Sequence, residues 1–169
     1  MAEKRRLYAA VIGPTDADES TARMAAEVGR MLAERGFVIV TGGGVGAMEA
    51  ASRGAREGGG TVVGILPGSD RSDANPWADV TVVSGIGHAR NLSVAASADV
   101  VVAVGGGWGT LSEIGLAGVL GRPVVSLAGW RLEHSASLPG ELTYAESPED
   151  AVEQAVALAG SAVRPGRVD

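Results

Sequence analysis

The chain has 169 residues, of which 46% are hydrophobic and 20% are charged, a composition that favours one domain around a single core. Its formal net charge of −6 offers no basic surface for a nucleic acid, and no apolar run approaches the roughly 20 residues that span a bilayer. The absence of cysteine excludes disulfides, thiolate metal sites and thiol nucleophiles.

The basic residues narrow the chemistry further, because 13 of the 14 are arginine and the single lysine is Lys4. A Schiff-base enzyme needs a lysine in a structured, desolvated pocket, and a P-loop needs a Gly-Lys-Ser/Thr sequence that this chain lacks. The N-terminus shows no secretory signal, so we expect a cytoplasmic protein.

Runs of β-branched and other apolar residues alternate with amphipathic stretches along the chain. Seven strands are predicted, the last one short, and helices are predicted between most of them and after the last. The predicted strands are Leu7–Gly13, Phe37–Thr41, Thr61–Leu66, Val80–Ser84, Asp99–Val104, Pro123–Leu127 and Leu142–Tyr144. The predicted helices are Glu19–Arg35, Val45–Glu57, His88–Ala98, Thr110–Leu120 and a last one from Ser147 to about Leu158.

This alternation predicts an α/β fold, a doubly wound, Rossmann-like parallel sheet of six to seven strands flanked by helices. We expect residues 1–169 to form one nucleotide-binding domain with loose termini at 1–6 and 160–169. Ligands of such sheets lie at the carboxyl ends of the strands. Five loops, each with at least one glycine, converge there: Gly13–Thr15, Gly42–Gly44, Pro67–Ser69, Ser84–Gly85 and Gly105–Gly107.

The most informative segment is 99–115, in which a buried strand breaks into glycines and restarts as a helix. Gly106, Gly107 and Gly109 allow a close backbone approach, and the helix that begins near Thr110 directs free amides at an anion. Glu113 would repel a phosphate placed too close to it, so we expect it to face a neutral part of the same ligand. The segment therefore predicts a site for a phosphorylated small molecule.

A second glycine-rich segment, Gly42-Gly43-Gly44-Val45-Gly46-Ala47, contains the G-x-G-x-x-A form of the dinucleotide fingerprint. It follows the second strand rather than the first, and the next strand ends in Leu66-Pro67 rather than in an acid. A structural tight turn and a loop for a mononucleotide phosphate therefore stay open beside NAD(P) binding.

Three motifs carry a resemblance to a known family: Thr41-Gly42-Gly43-Gly44 with Gly46-Ala47-Met48, Gly64-Ile65-Leu66-Pro67, and Gly106-Gly107-Trp108-Gly109-Thr110 with Glu113. Together with Arg90 they resemble the LOG superfamily, whose signature is P-G-G-x-G-T-x-x-E. Members have been labelled lysine decarboxylases, but the single lysine argues against a PLP-dependent decarboxylase here.

The resemblance implies a nucleoside 5′-monophosphate phosphoribohydrolase that needs no cofactor and works as a homodimer. It implies Glu113 and Arg90 as the catalytic pair. Phosphate or ligand contacts are expected from Gly42, Gly43, Gly44, Gly106, Gly107, Trp108, Gly109 and Thr110. A structural alternative is that Glu113 only caps amides and pairs with Arg90.

Two departures favour a sister branch of the family. Gly105 replaces the signature proline, and Asn91 follows Arg90 where the cytokinin-activating members have lysine. Ala89-Arg90-Asn91 is closer to the branch that includes molybdenum-cofactor carrier proteins. That resemblance implies an alternative function, a non-catalytic carrier with the molybdenum cofactor, a phosphorylated pterin, as its ligand.

The remaining candidates are less specific. His88 and His134 stand 46 positions apart with no carboxylate cluster, so no metal site is expected. The polar stretch with Asp70, Arg71, Asp73 and Asn75 resembles a flexible rim loop. The tryptophans Trp77, Trp108 and Trp130 are candidates to stack on a base or pterin ring. Only Trp108 belongs to a motif, and packing or subunit contacts explain Trp77 and Trp130 equally well. Alanine-rich helices at Val45–Ala55 and Leu111–Leu120 predict self-association.

Overall fold

The computed structural model describes residues 5–133 and 140–161, which form one parallel sheet with helices on both faces. The strands are β1 (Tyr8–Ile12), β2 (Val38–Thr41), β3 (Val62–Leu66), β4 (Val80–Val83), β5 (Val100–Val104), β6 (Val124–Leu127) and β7 (Leu142–Ala145). The helices are α1 (Glu19–Glu34), α2 (Ala47–Glu57), α3 (Arg90–Ala96), α4 (Trp108–Val119) and α5 (Pro148–Ser161).

The sheet order is β4-β3-β2-β1-β5-β6-β7, and every neighbouring pair is parallel. This confirms the predicted doubly wound fold with seven strands. The chain winds outward from β1 in one direction and from β5 in the other. The adjacent ends of β1 and β5 are therefore the switch point at which ligands of open parallel sheets bind.

The two faces of the sheet have separate cores. One core packs α1, α2 and α5 against side chains such as Val11, Val102 and Val125, and the other packs α3 and α4 against Ile12, Val101 and Ala103. Because successive side chains of a strand alternate between faces, a strand covered on both sides must be apolar throughout. The fully buried run Val100–Val104 is the clearest example.

Small residues bring α1 and α2 into close contact. A Cβ on Gly29 would overlap with the carbonyl of Ala51, and one on Gly54 would overlap with that of Ala26. The alanine-rich face of α2, which the sequence suggested for self-association, is thus used inside the chain. Of the two helices predicted to self-associate, α4 keeps an open face, since a Cβ on Gly115 or Gly118 would meet no atom within 4 Å.

Element ends differ from the predicted ones by a few residues. The predicted helix from His88 is split into a 3-10 turn (Gly87–Ala89) and α3, which begins at Arg90. The last helix runs to Ser161, three residues past its predicted end, so Gly160 and Ser161 are helical rather than part of a loose tail. Most of the predicted loose termini, together with Lys4 and His134, lie outside the described residues.

Candidate functional site

A cleft of about 260 Å³ opens at the switch point, between the loop after β1 and the loop after β5. The first loop contributes Gly13–Asp16 to its lining, and α2 contributes Met48. The segment around the start of α3 contributes His88, Arg90 and Asn91, and the signature segment contributes Gly107–Thr110 and Glu113. Arg90 and the segment Gly107–Thr110, which lie 17 to 20 residues apart in the sequence, thus meet in one cavity.

The loop between β5 and α4, Gly105–Gly107 (the signature loop), turns sharply before α4 begins. Gly105 has φ +68, a value that the fixed ring of proline does not reach, so the departure from the family signature matches the backbone conformation here. Gly107 is the N-cap, in an extended conformation, and the amides of the first turn of α4 face the cleft unpaired by any capping side chain. The hydroxyl oxygen of Thr110 is buried without a hydrogen-bond partner.

Arg90 and Glu113 face each other across the floor of the cleft. Nη1 of Arg90 lies 3.8 Å from Oε1 of Glu113, which is an ion-pair distance but too long for a hydrogen bond. Nε and Nη1 of Arg90 are buried with no acceptor. Buried donors without partners are rare in folded proteins, and these N–H groups together with Thr110 Oγ1 suit the oxygens of a bound anion.

Burial dominates the electrostatics of this pair. Glu113 is 6% exposed, and desolvation raises its pKa to about 7, although the charge of Arg90 acts in the opposite direction. Desolvation likewise lowers the pKa of Arg90, and Glu113 partly offsets that effect. A carboxyl group with a pKa near neutrality in a cleft can take up and release a proton at physiological pH, which is what general acid–base chemistry requires.

Four of the glycines predicted to contact the ligand lie behind the cleft and not in its lining. A Cβ on Gly42 would stand 2.8 Å from Cζ of Arg90, so this glycine supports the guanidinium from below. The carbonyls of Gly43 and Gly44 accept hydrogen bonds from Asn75. A Cβ on Gly106 would stand 2.8 Å from the ring of Trp130. Close packing within the chain accounts for these four glycines, so the glycine pattern alone did not distinguish them from the glycines that line the cleft.

Asn91 connects α3 to the first turn of α4. Its side-chain nitrogen donates to Oγ of Ser112 at 3.1 Å, and that hydroxyl donates to the carbonyl of Gly109 at 2.7 Å. Asn91 is therefore a buried hydrogen-bonding residue next to Arg90.

Trp130 is tied to the signature loop, which the sequence did not predict. Its Nε1 donates to the carbonyl of Gly107 at 3.2 Å, and its ring lies 5.5 Å from that of Trp108 between centroids. Trp108 itself is 80% exposed at the rim of the cleft. Because Trp130 follows β6 outside the three sequence motifs, no local pattern marked it.

Metal-ligating clusters and membrane-spanning helices are both absent from the part of the chain that the structure describes. Within residues 5–133 and 140–161 no group of three or more histidine and acidic side chains is placed to hold a metal ion. None of the helices in that part of the chain combines the length and hydropathy needed to cross a membrane. His88 is exposed at the cleft.

Comparison with known proteins identifies relatives of this chain by sequence and by structure. The rice cytokinin riboside 5′-monophosphate phosphoribohydrolase LOG (Oryza sativa subsp. japonica) is 39% identical over 94 residues, which are 53% of this chain but only 38% of that protein. The molybdenum cofactor binding protein of Rippkaea orientalis superposes with a TM-score of 0.83 at 34% identity, over 92% of this chain and 99% of that one. The molybdenum cofactor carrier protein of Chlamydomonas reinhardtii gives a TM-score of 0.83 at 33% identity, over 93% and 100%.

The family model of SLOG cluster4 matches residues 6–152, which include every strand and both halves of the cleft. This chain belongs to the SLOG cluster4 family, a LOG-like group, and resembles the molybdenum cofactor carrier proteins in structure.

Proposed function

We propose that this protein cleaves the N-glycosidic bond of a nucleoside 5′-monophosphate, releasing a free base and ribose 5-phosphate. The observation that carries the proposal is Glu113, a carboxyl group that burial holds at a pKa of about 7 beside the unpaired N–H groups of Arg90. A merely structural glutamate at this depth would be expected to have hydrogen-bond partners that stabilise one charge state.

The charges of the cleft residues suggest a separate role for each of them. The phosphate would take the amides of the first turn of α4, the hydroxyl of Thr110 and the free N–H groups of Arg90. Glu113 would then face the ribose, where its ionised form stabilises positive charge developing at the anomeric carbon and accepts a proton from the attacking water. Trp108, exposed at the rim, would stack on the base.

The test is turnover of purine and pyrimidine nucleoside monophosphates by wild type and Glu113→Gln, with the free base measured by chromatography. We expect wild type to turn over at least one of them and Glu113→Gln to lose about 10²–10⁴-fold in rate while still binding the nucleotide. Glu57→Gln, a change of the same chemistry at an exposed position of α2, is the matched control and keeps full activity. Equal turnover by Glu113→Gln and wild type contradicts the proposal.

A second candidate function, carriage of the molybdenum cofactor, is favoured by the likeness to the Chlamydomonas carrier over nearly the whole chain. The same phosphate contacts would hold the single phosphate of a pterin cofactor, with the ring system at Trp108. Fluorescent pterin that co-purifies with the protein, together with an absence of turnover on every nucleotide, would favour this function. Glu113→Gln would then leave ligand binding intact.

In both candidate functions the protein works in the cytoplasm and binds a small phosphorylated ligand. Neither function involves a nucleic acid or a membrane. We also propose that the protein is a homodimer, with the open face of α4 as the interface.

A further inference from the structure

Asn75 is a buried polar residue outside the lining of the cleft. It is 6% exposed, in the segment between β3 and β4. Its side-chain nitrogen donates to the carbonyls of Gly43 at 3.1 Å and Gly44 at 2.9 Å, and its backbone N–H donates to Gly43 at 2.8 Å. Its side-chain oxygen accepts from the backbone N–H of Trp77 at 3.1 Å. Both side-chain N–H groups therefore donate to the glycine loop after β2, Gly42–Gly44.

The glycine loop in turn determines where Arg90 can lie. The guanidinium packs on Gly42, where any Cβ would overlap both with the guanidinium and with Sδ of Met48. No hydrogen bond holds Nε or Nη1 of Arg90, and Glu113 is 3.8 Å away. The position of the guanidinium thus depends on packing against the loop rather than on partners of its own.

The loop has few anchors of its own. The amide of Gly43 donates to Oγ1 of Thr41 at 3.1 Å, and Gly43 has φ +73, a conformation that glycine adopts without cost. A segment of three consecutive glycines has many alternative conformations, so an external clamp is needed to keep one of them. Asn75 supplies that clamp, whereas the rest of the predicted rim loop is organised locally by Asp70, which caps the turn at Ser72.

We propose that Asn75 is a positioning residue for Arg90: by holding the carbonyls of Gly43 and Gly44 it keeps Gly42 under the guanidinium and directs the free N–H groups of Arg90 at the ligand. The value of this geometry for binding rests on the proposed role of Arg90 as an anion contact. Asparagine suits the position because two carbonyls need two N–H donors and the N–H of Trp77 needs an acceptor. Aspartate would direct a carboxylate at both carbonyls.

A double-mutant cycle with Arg90 tests the proposal through binding of AMP, measured by calorimetry. Asn75→Ala is expected to weaken binding by about tenfold, which corresponds to the loss of one well-placed charged hydrogen bond. In the Arg90→Ala background the same change is expected to have no further effect, because two substitutions that remove one interaction are not additive. Asp70→Ala, which loosens the same segment without touching the glycine loop, is the control and keeps wild-type affinity.

A second readout needs no ligand and separates this inference from the proposed function. The pKa of Glu113, followed by carbon NMR of its carboxyl group, should rise in Asn75→Ala because the opposing charge of Arg90 moves away, and should not change further when Arg90→Ala is already present. A wild-type protein that binds no nucleotide overturns the proposed function, while the titration of Glu113 still decides the role of Asn75. The proposed role of Asn75 is overturned if the Glu113 titration is unchanged in a folded Asn75→Ala protein. It is also overturned if Asn75→Ala causes the same loss of affinity with and without Arg90→Ala. Asn75→Ser, which keeps one donor, is the variant to measure if alanine prevents folding, and it should show the same changes in smaller measure.

Discussion

The raised pKa of Glu113 predicts an unusual dependence of stability on pH. The pKa of this carboxyl group is about 7 in the folded protein, against an ordinary value of 4.5. As the pH rises between these values, the unfolded chain ionises Glu113 while the folded protein keeps it protonated. The folded protein therefore loses stability over this interval, and the loss is complete above a pH of about 7. At 1.36 kcal/mol for each pKa unit, the loss is roughly 3 kcal/mol.

Glu113→Gln isolates this contribution, because glutamine has the shape of the protonated acid and does not titrate. We expect the free energy of unfolding of the variant, minus that of wild type, to increase by roughly 3 kcal/mol between about pH 4 and pH 8 in urea titrations at fixed protein concentration. Other carboxyl groups whose pKa values are lowered by hydrogen bonds, such as Asp18 and Asp150, are present in both proteins and cancel in the difference.

Glu149→Gln is the matched control. Glu149 is exposed at the start of α5, where its own backbone amide and the Ser147 hydroxyl lower its pKa. Its ionised form is therefore the one that the fold favours, and wild type should gain stability relative to this variant as the pH rises through the acid range. A difference for Glu113→Gln that stays flat from pH 4 to pH 8 would show that Glu113 is ionised and solvated in the folded protein, and would refute the argument.

Two further predictions concern the cleft and the open face of α4. Gly107→Val should fold normally, because the backbone of Gly107 is extended and a new Cβ would come no closer than 4.0 Å to Pro14. The variant should weaken AMP binding at least about tenfold, because the valine side chain fills the phosphate position. Unchanged affinity by calorimetry would place the phosphate elsewhere. Val119, 78% exposed on α4, should lie in the dimer interface, so Val119→Glu should give a monomer by light scattering while Val45→Glu, at another exposed valine, leaves the mass of the wild-type dimer unchanged. A monomeric wild type at micromolar concentration contradicts this prediction.

The fold was predictable because its strands and helices carry strong, consistent patterns. Runs such as Val100–Val104 are apolar at every position, as burial on both faces demands, and α1 has apolar residues on one side and charges on the other. The position of the cleft was predictable for a topological reason, since parallel strands bring the loops at their carboxyl ends to one edge.

The division of roles among the glycines was not predictable in this way. Glycine is selected both where a backbone approaches a ligand and where it approaches another part of the chain, and the sequence does not distinguish these cases. Gly42 and Gly106 belong to the second case, since they face Arg90 and Trp130. The contacts of Asn75 and Trp130 were not predictable for a related reason, because each side chain donates hydrogen bonds to residues distant in the sequence, which leave no periodic signal.

The protonation state of Glu113 separates the two candidate functions on physical grounds. A phosphate next to Glu113 would disfavour the ionised carboxylate and hold it as a neutral acid, able to donate a hydrogen bond to a ligand oxygen but unable to accept a proton from water. A hydrolase must therefore keep the phosphate at the start of α4 and on the far side of Arg90, with the sugar carbon next to Glu113. A carrier has no such requirement and benefits from the protonated form. Nη1 of Arg90 lies 3.8 Å from Oε1 of Glu113 without a hydrogen bond, so under the hydrolase proposal Arg90 would bind the phosphate while Glu113 faces the sugar.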